Sequence, residues 1–189
     1  MQLDNEVRTM RVKELHIENF RGIKHLCLEI NSNGAVIYGM NGVGKTTIIE
    51  ALNLVISRIL DRALHGKIVS QGALKEEDVR FGSSFIDIKV CFELEDEEFT
   101  VNRVYSKSKK SAVSNQKSLH KLSTQLRNIM EDESNTGDLP IYVLYGVNRS
   151  VVDIPLRIRN KHSFDRKYTY EKSSIGTDFR TFFEWYTFV

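Results

Sequence analysis

Alternation of apolar and polar residues predicts two pairs of β-strands in the first hundred residues. Residues 11–17 lead as a strand into the turn 19–22 (NFRG), and residues 25–30 alternate apolar and polar side chains after it, which indicates a half-buried strand pair. The same period-two pattern runs through residues 85–105 and is interrupted by an acidic turn at 95–98. We interpret this segment as an antiparallel hairpin.

A second pattern lies between these pairs and predicts a strand, a glycine-rich loop and a helix. Residues 35–38 (AVIY) form a short continuous apolar run of the kind that occupies the middle of a sheet. From Lys45 onward apolar residues recur at helical spacing to about residue 64, and Gly66 lies near the expected end. The glycine-rich loop joins the strand directly to this helix.

The second half of the chain is more polar, and its sequence predicts fewer helices and strands. Residues 106–118 are basic and poor in large apolar side chains, which predicts a mobile loop. An apolar stripe indicates a helix at 119–130, and residues 139–145 indicate another buried strand. Aromatic residues at 178–185 suggest the start of a further helix.

Chain length and composition favour one ordinary domain over residues 1–189. The 189 residues are 41% hydrophobic and 10% aromatic, enough for a real core. We divide the domain into a core with the glycine-rich loop at 1–66, a hairpin lobe with a polar loop at 67–138, and a core strand with the start of a helical region at 139–189. The formal charge of +2 argues neither for nor against a polyanionic partner.

Cysteine spacing and hydropathy give expectations about metal sites and location. Cys27 and Cys91 are far apart in sequence and no histidine lies at metal-binding spacing, so we predict neither a zinc site nor a catalytic cysteine. No apolar run approaches the roughly 20 residues that cross a bilayer, and residues 1–10 lack a secretion signal. We therefore expect a cytoplasmic protein with no membrane partner.

Candidate chemistry is concentrated in residues 39–46 (GMNGVGKT), which match the phosphate-binding pattern G-x-x-x-x-G-K-[ST]. Glycines allow successive backbone N–H groups to point at phosphate oxygens, and the following helix N-terminus adds partial positive charge. Lys45 is expected to reach the outer phosphates and Thr46 to offer its hydroxyl to Mg²⁺. ATP and Mg²⁺ are the predicted ligands.

Residues 11–55 resemble the SMC, RecF and OLD branch of ABC-type ATPases. Three features carry the resemblance: the NFRG turn at 19–22, Asn41 inside the loop, and the short distance between them. The resemblance implies an α/β P-loop NTPase fold, the ABC-type ATPase head, here its N-terminal half with an antiparallel β lobe beside the P-loop strand and helix. It also implies an ATP site that contains the following residues: Arg21, Asn41, Gly42, Val43, Gly44, Lys45, Thr46 and Thr47.

Residues 145–149, 153–157 and 179–185 resemble a bacterial subgroup found in defence loci, the PtuA-like ATPases. For an ATPase of this type we expect a homodimer or an ATPase partner chain that shares a composite ATP site, and a nuclease and DNA are further candidate partners. Asn148 falls near the position of the family's Q-loop glutamine, which links Mg²⁺ or water to the second lobe. Asn148 is therefore either a metal-site residue or a plain cap at the end of a strand.

The later motifs of the family are missing from this sequence: the L-S-G-G signature, a Walker B strand ending in Asp-Glu, and a switch histidine. Residues 90–97 superficially resemble Walker B, but their alternation fits a hairpin better. We therefore expect the N-terminal half of an ATPase, one that binds nucleotide far better than it hydrolyses it.

Three functions remain open from the sequence. The first is an ATPase, or its N-terminal half, of the DNA-repair or phage-defence type; the second is a non-hydrolysing nucleotide-binding interaction module; the third is a small kinase. A group of lysines lies in and after the polar loop, and it consists of Lys107, Lys109, Lys110, Lys117 and Lys121. These side chains either contact DNA phosphates or belong to an ordinary solvated loop.

Overall fold

A computed structural model describes residues 10–31, 34–67 and 74–132, together with 142 and 144. The chain divides into two compact units, residues 1–140 and 141–189. Nearly all described residues belong to the first unit, and the description that follows concerns that unit.

A five-stranded antiparallel sheet forms the centre of this unit, with the strand order β2-β1-β3-β4-β5. Its strands and the two helices that accompany it, in chain order, are β1 (Met10–Phe20), β2 (Ile23–Glu29), α1 (Lys45–His65), β3 (Phe85–Leu94), β4 (Glu97–Ser106), β5 (Ser111–Ser114) and α2 (Gln116–Glu131). A single 3-10 turn at Glu76–Asp78 lies between α1 and β3. The sheet therefore has β2 and β5 at its edges.

One face of the sheet is apolar and is covered by the two helices, which also contact each other. Alternate residues of β1, β3 and β4 are buried on this face, as the period of two requires. The helices contribute matching stripes. The buried apolar residues of the helices are Ala51, Val55, Ile56, Ile59, Leu60, Ala63, Leu119, Leu122, Leu126, Ile129 and Met130.

The two strand pairs and both helices agree with the predictions from periodicity. β1 and β2 are antiparallel with Phe20 opposite Ile23, so the tight turn is Arg21-Gly22. β3 and β4 form the expected hairpin, with Leu94 opposite Glu97. Helix α1 ends where predicted, because Gly66 adopts a left-handed conformation and its N–H bonds the carbonyl of Arg62.

Two segments differ from prediction. The polar segment 106–118 is not a loop throughout, because β5 (Ser111–Ser114) pairs with β4 and α2 already begins at Gln116. The apolar run 35–38 is not a strand here, and Val36 and Tyr38 are 88% and 90% exposed. A strand requires a hydrogen-bonding neighbour, and none of the strand pairings among the described residues involves this run.

Several predictions fall on the other parts of the chain. Of residues 139–145 only Tyr142 and Leu144 are described, and neither lies in a strand. Asn148 and the helix expected at 178–185 lie outside the described residues. Within the described ranges, no helix combines the length and the apolar character needed to span a bilayer.

Candidate functional site

The glycine-rich loop turns sharply immediately before helix α1. Gly42 and Gly44 have φ angles of 85° and 102°, in the region that favours glycine over residues with a Cβ. A Cβ on Gly44 would have ordinary contact with Ile23, at 3.7 Å, so the backbone conformation rather than space is the requirement there. The loop therefore needs glycine at these two positions to curl in front of the helix.

Helix α1 presents an uncapped N-terminus at the end of this loop. Gly44 is the N-cap residue, it supplies no side-chain cap hydrogen bond, and the first helical turn contains no acidic residue. The first N–H groups of a helix have no partner within the helix, and the helix dipole adds partial positive charge at that end. This arrangement favours an anion in front of α1.

The Lys45 side chain lies across the loop that precedes it. Its Nζ donates to the carbonyl oxygen of Gly39 at 2.7 Å and to that of Met40 at 2.6 Å. These bonds hold the only cationic side chain of the motif directly at the loop. An ammonium group has three donors, so a phosphate oxygen can take the remaining donor or replace a carbonyl.

The other predicted loop residues surround the same helix end. Asn41 and Val43 are exposed in the turn, and Val43 is 57% exposed. Thr46 is exposed in the first turn of α1, whereas Thr47 is half-buried. The structure therefore brings residues 39–47 together at one end of α1 with the Thr46 side chain accessible to solvent.

Arg21 extends from the β1–β2 turn toward helix α1, where two carboxylates hold it. Its Nε donates to Asp78 Oδ1 at 2.9 Å, and its Nη1 forms an ion pair with Glu50 Oε2. Partial desolvation opposes the charge of Arg21, but the hydrogen bonds to Asp78 and Glu50 outweigh it and raise the pKa. Arg21 is therefore a firmly charged group on the flank of α1.

Backbone hydrogen bonds fix the turn that presents Arg21. Its N–H donates to the carbonyl of Asp78 at 2.7 Å, and the N–H of Arg80 donates to the carbonyl of Asn19 at 2.9 Å. The Asn19 side chain accepts from the Ser83 hydroxyl at 2.9 Å. Both Asn19 and Arg21 have positive φ, a conformation that these contacts hold in place.

A family model described as an AAA domain matches residues 14–177. This chain belongs to the AAA domain family. The match confirms the resemblance seen in residues 11–55, and the antiparallel lobe beside α1 agrees with the α/β fold that the resemblance implies.

Curated relatives of this AAA domain chain are considerably longer than it is. It is 23% identical over 189 residues to the retron Ec83 probable ATPase of Escherichia coli, covering 94% of this chain and 34% of that protein. It is 31% identical over 120 residues to the DNA replication and repair protein RecF of Clostridioides difficile, and the match covers 64% of this chain and 30% of that protein. The chain thus spans about a third of the length of these relatives.

Other likenesses cover less of the chain. The DNA double-strand break repair Rad50 ATPase of Archaeoglobus fulgidus is 31% identical over 93 residues, which cover 49% of this chain and 9% of that protein. Among solved structures, RecF with ATP from the RecFOR pathway has a TM-score of 0.47 at 23% identity, covering 60% of this chain and 28% of that one.

Glu50 and Asp78 are the site residues that the sequence did not indicate. Glu50 follows Thr46 by four residues, which places both on one face of the AAA domain's α1, and that spacing is a usable signal. Asp78 comes from the 3-10 turn before β3 and reaches Arg21 across 57 residues of sequence. No local pattern predicts such a contact.

The predicted lysine group is divided between two surfaces. Lys107, Lys109 and Lys110 lie in the turn between β4 and β5, and the last two are exposed. Lys121 on α2 forms an ion pair with Glu97 and lies over the Phe99 ring at 5.4 Å. The charge of Lys121 is therefore partly neutralised, and the β4–β5 turn holds most of the accessible positive charge of the group.

Proposed function

We propose that this AAA domain chain binds ATP with Mg²⁺ in front of helix α1. The observation that carries the proposal is the position of Lys45 Nζ, within 2.7 Å of two loop carbonyls at an uncapped helix N-terminus. Concentrated backbone N–H groups and an ammonium group together match the charge and hydrogen-bonding capacity of a triphosphate.

Each loop residue has a role in this proposal. Backbone N–H groups of Asn41, Gly42, Val43 and Gly44 surround the phosphates, and Lys45 bonds the outer phosphate oxygens. The Thr46 hydroxyl ligates Mg²⁺ and Thr47 bonds an inner phosphate. These assignments are supported by the loop geometry and by the side chain of Thr46, which is exposed in the first helical turn.

Arg21 is proposed to approach the nucleotide from the β1–β2 turn. Its guanidinium already lies beside Glu50, little more than one helical turn after Lys45, so the distance to the phosphate region is short. In this proposal Arg21 exchanges the Glu50 carboxylate for a phosphate oxygen. Asn148, outside the described residues, keeps its two alternatives of a metal-site residue or a strand cap.

Hydrolysis is proposed for the assembled protein, in which a second protomer or an ATPase partner chain completes the site. An ATPase of the DNA-repair or phage-defence type is proposed; DNA repair is named in the relatives RecF and Rad50, and the retron relative is named a probable ATPase. We also propose that the assembled protein acts with a nuclease and binds DNA. The alternative is a nucleotide-binding interaction module that does not turn ATP over.

Calorimetric titration of Mg-ATP into the parent chain and into Lys45→Ala tests the binding site. Loss of one charge-assisted hydrogen-bonding group of about 1.5–3 kcal/mol predicts binding weakened by at least about tenfold. Lys89→Ala is the matched control, because Lys89 is exposed on β3 and paired in register with His16. Equal affinity of the Lys45 and Lys89 variants would reject the proposed site.

Phosphate release measured on the same samples separates the two functions. Binding that depends on Lys45 without turnover by the isolated chain supports the interaction module or an ATPase that needs its partner. Robust turnover by the isolated chain would eliminate the non-hydrolysing alternative. A kinase would instead transfer phosphate to an acceptor at a saturable rate.

A further inference from the structure

The outer face of the β1–β2 hairpin carries three metal-binding side chains close together. Strand pairing places His16 directly opposite Cys27. Glu14 precedes His16 by two residues and therefore projects from the same face of β1. This face is opposite the one that the helices cover, since Leu15 and Ile17 of β1 point into the core.

Ligand atoms of the three side chains form a compact triangle. Glu14 Oε1 lies 2.7 Å from His16 Nε2, Cys27 Sγ lies 3.6 Å from the same Oε1, and Sγ lies 3.9 Å from Nε2. A circle through these atoms has a radius of about 2.0 Å, so a point about 1 Å above their plane is about 2.2 Å from each of them. Zinc bonds to oxygen, nitrogen and sulfur have lengths of about 2.0–2.3 Å.

We propose that Glu14, His16 and Cys27 bind one divalent zinc-class ion, with solvent at the fourth position. A thiolate, an imidazole and a carboxylate together suit zinc, whereas Mg²⁺ and Ca²⁺ select oxygen ligands alone. The side chains of His16 and Glu14 are 35% and 36% exposed, which gives an ion and its water direct access. The site is separate in residues and in metal preference from the proposed Mg-ATP site.

The alternative role of a reactive cysteine fits this environment poorly. Reactive thiols are found beside positive charge that lowers their pKa. Here desolvation, together with the hydrogen bond to Glu14, raises the pKa of Cys27. A bound cation reverses that local field, because it stabilises the thiolate and the Glu14 carboxylate at the same time.

A metal at this position would connect two strands at one edge of the sheet. Glu14 and His16 belong to β1, whereas Cys27 belongs to the edge strand β2. The same two strands are joined by the turn that presents Arg21. Zinc is therefore expected to stabilise the folded chain by mass action, since the unfolded chain does not hold the three ligands in this geometry.

Titration of the untagged full chain with Co²⁺, followed by competition with Zn²⁺, tests the site. Cobalt bound to a cysteine thiolate gives a sulfur-to-metal charge-transfer band, so the parent should develop this band and lose it when Zn²⁺ is added. Cys27→Ser should abolish the band and weaken zinc binding by at least about tenfold, since even partners beyond the ligands typically contribute 10–100-fold. His16→Ala should also weaken binding.

The matched control is Cys91→Ser, which removes the other cysteine. Cys91 lies on β3 opposite Glu14, on the side of β1 away from Cys27. That variant should retain the band and the zinc-dependent rise in Tm, and Lys45→Ala should retain both. A band that persists in Cys27→Ser, a band that requires Cys91, or a parent whose Tm does not respond to zinc would each overturn the proposal. Circular dichroism of every variant excludes misfolding as the cause.

Discussion

Competition between Glu50 and a nucleotide for Arg21 gives the sharpest prediction. In the structure the Arg21 guanidinium bonds Asp78 and Glu50 at once. If Arg21 exchanges Glu50 for a phosphate oxygen in the ATP complex, the ion pair with Glu50 is lost while that with Asp78 remains. Replacing Glu50 by glutamine therefore removes an interaction that only the free chain makes, and ATP should bind more tightly.

The expected magnitude follows from the exposure of the pair. Both side chains are 42% exposed, and ion pairs in such positions contribute about 0.2–1 kcal/mol. Release of Arg21 from this ion pair in Glu50→Gln should therefore strengthen ATP binding by at most about fivefold. Arg21→Gln should weaken it by about tenfold or more, because a charge-assisted hydrogen bond to phosphate contributes about 1.5–3 kcal/mol.

A double-mutant cycle read by calorimetry separates competition from simple charge repulsion. Glu50→Gln also removes a negative charge near the phosphates, and that effect should persist when residue 21 is glutamine. The gain from Glu50→Gln should thus be clearly smaller in the Arg21→Gln background than in the parent. Equal gains in both backgrounds, or an unchanged affinity in Arg21→Gln alone, would refute a role for Arg21 in binding.

Two further predictions concern stability. Burial is the main cause that lowers the pKa of Arg103 to about 10, so the folded protein bears a cost for this charge. Arg103 is 2% exposed and donates from Nη1 to the Leu54 carbonyl at 2.9 Å, a charge-assisted hydrogen bond of about 1.5–3 kcal/mol that offsets much of that cost. Arg103→Met removes both, so its stability in urea at pH 7 should lie within about 1 kcal/mol of the parent, and a loss of several kcal/mol would contradict this balance. Hydrogen bonds from Lys121 and then Gln125 lower the pKa of Glu97 in the folded protein. These bonds therefore stabilise the fold fully at pH values above the ordinary Glu97 pKa of 4.5, and the stabilisation is lost as the pH falls through the lowered pKa of the folded state. Glu97→Gln should therefore unfold at lower urea than the parent at pH 7, with the two curves converging in acid; a difference independent of pH would argue against this pair.

Local periodicity was sufficient to predict the strands and helices whose apolar residues face one core. The alternation in β3 and β4 and the apolar stripe in α2 each arise from a single buried face. Such a pattern can be identified from the sequence without knowing which element packs against that face. β5 was missed because it has only four residues and its stability comes from pairing with β4. Non-local hydrogen bonds of this kind leave no periodic signal in a short polar segment.

The same limit applies to the sites. The loop residues 39–46 were recognised because one contiguous segment supplies the glycines, the lysine and the helix N-terminus. Arg21 was found by resemblance, but its partners Glu50 and Asp78 come from distant segments. His16 and Cys27 are eleven residues apart, a separation with no meaning until the register of the hairpin makes them neighbours. We therefore predicted no zinc site from sequence spacing alone.

Support for the phosphate-binding loop is unequal on its two sides. On the C-terminal side α1 is anchored in the core through fully buried residues such as Ala51 and Val55. On the N-terminal side Val36, Tyr38 and Met40 are at least 80% exposed, and no strand pairing among the described residues holds them. The helix end and Lys45 are thus preorganised for an anion, whereas the backbone before Gly39 gains no such support from the described residues. A contact that covers these apolar side chains should therefore increase the affinity of the loop for phosphate by holding that segment in place.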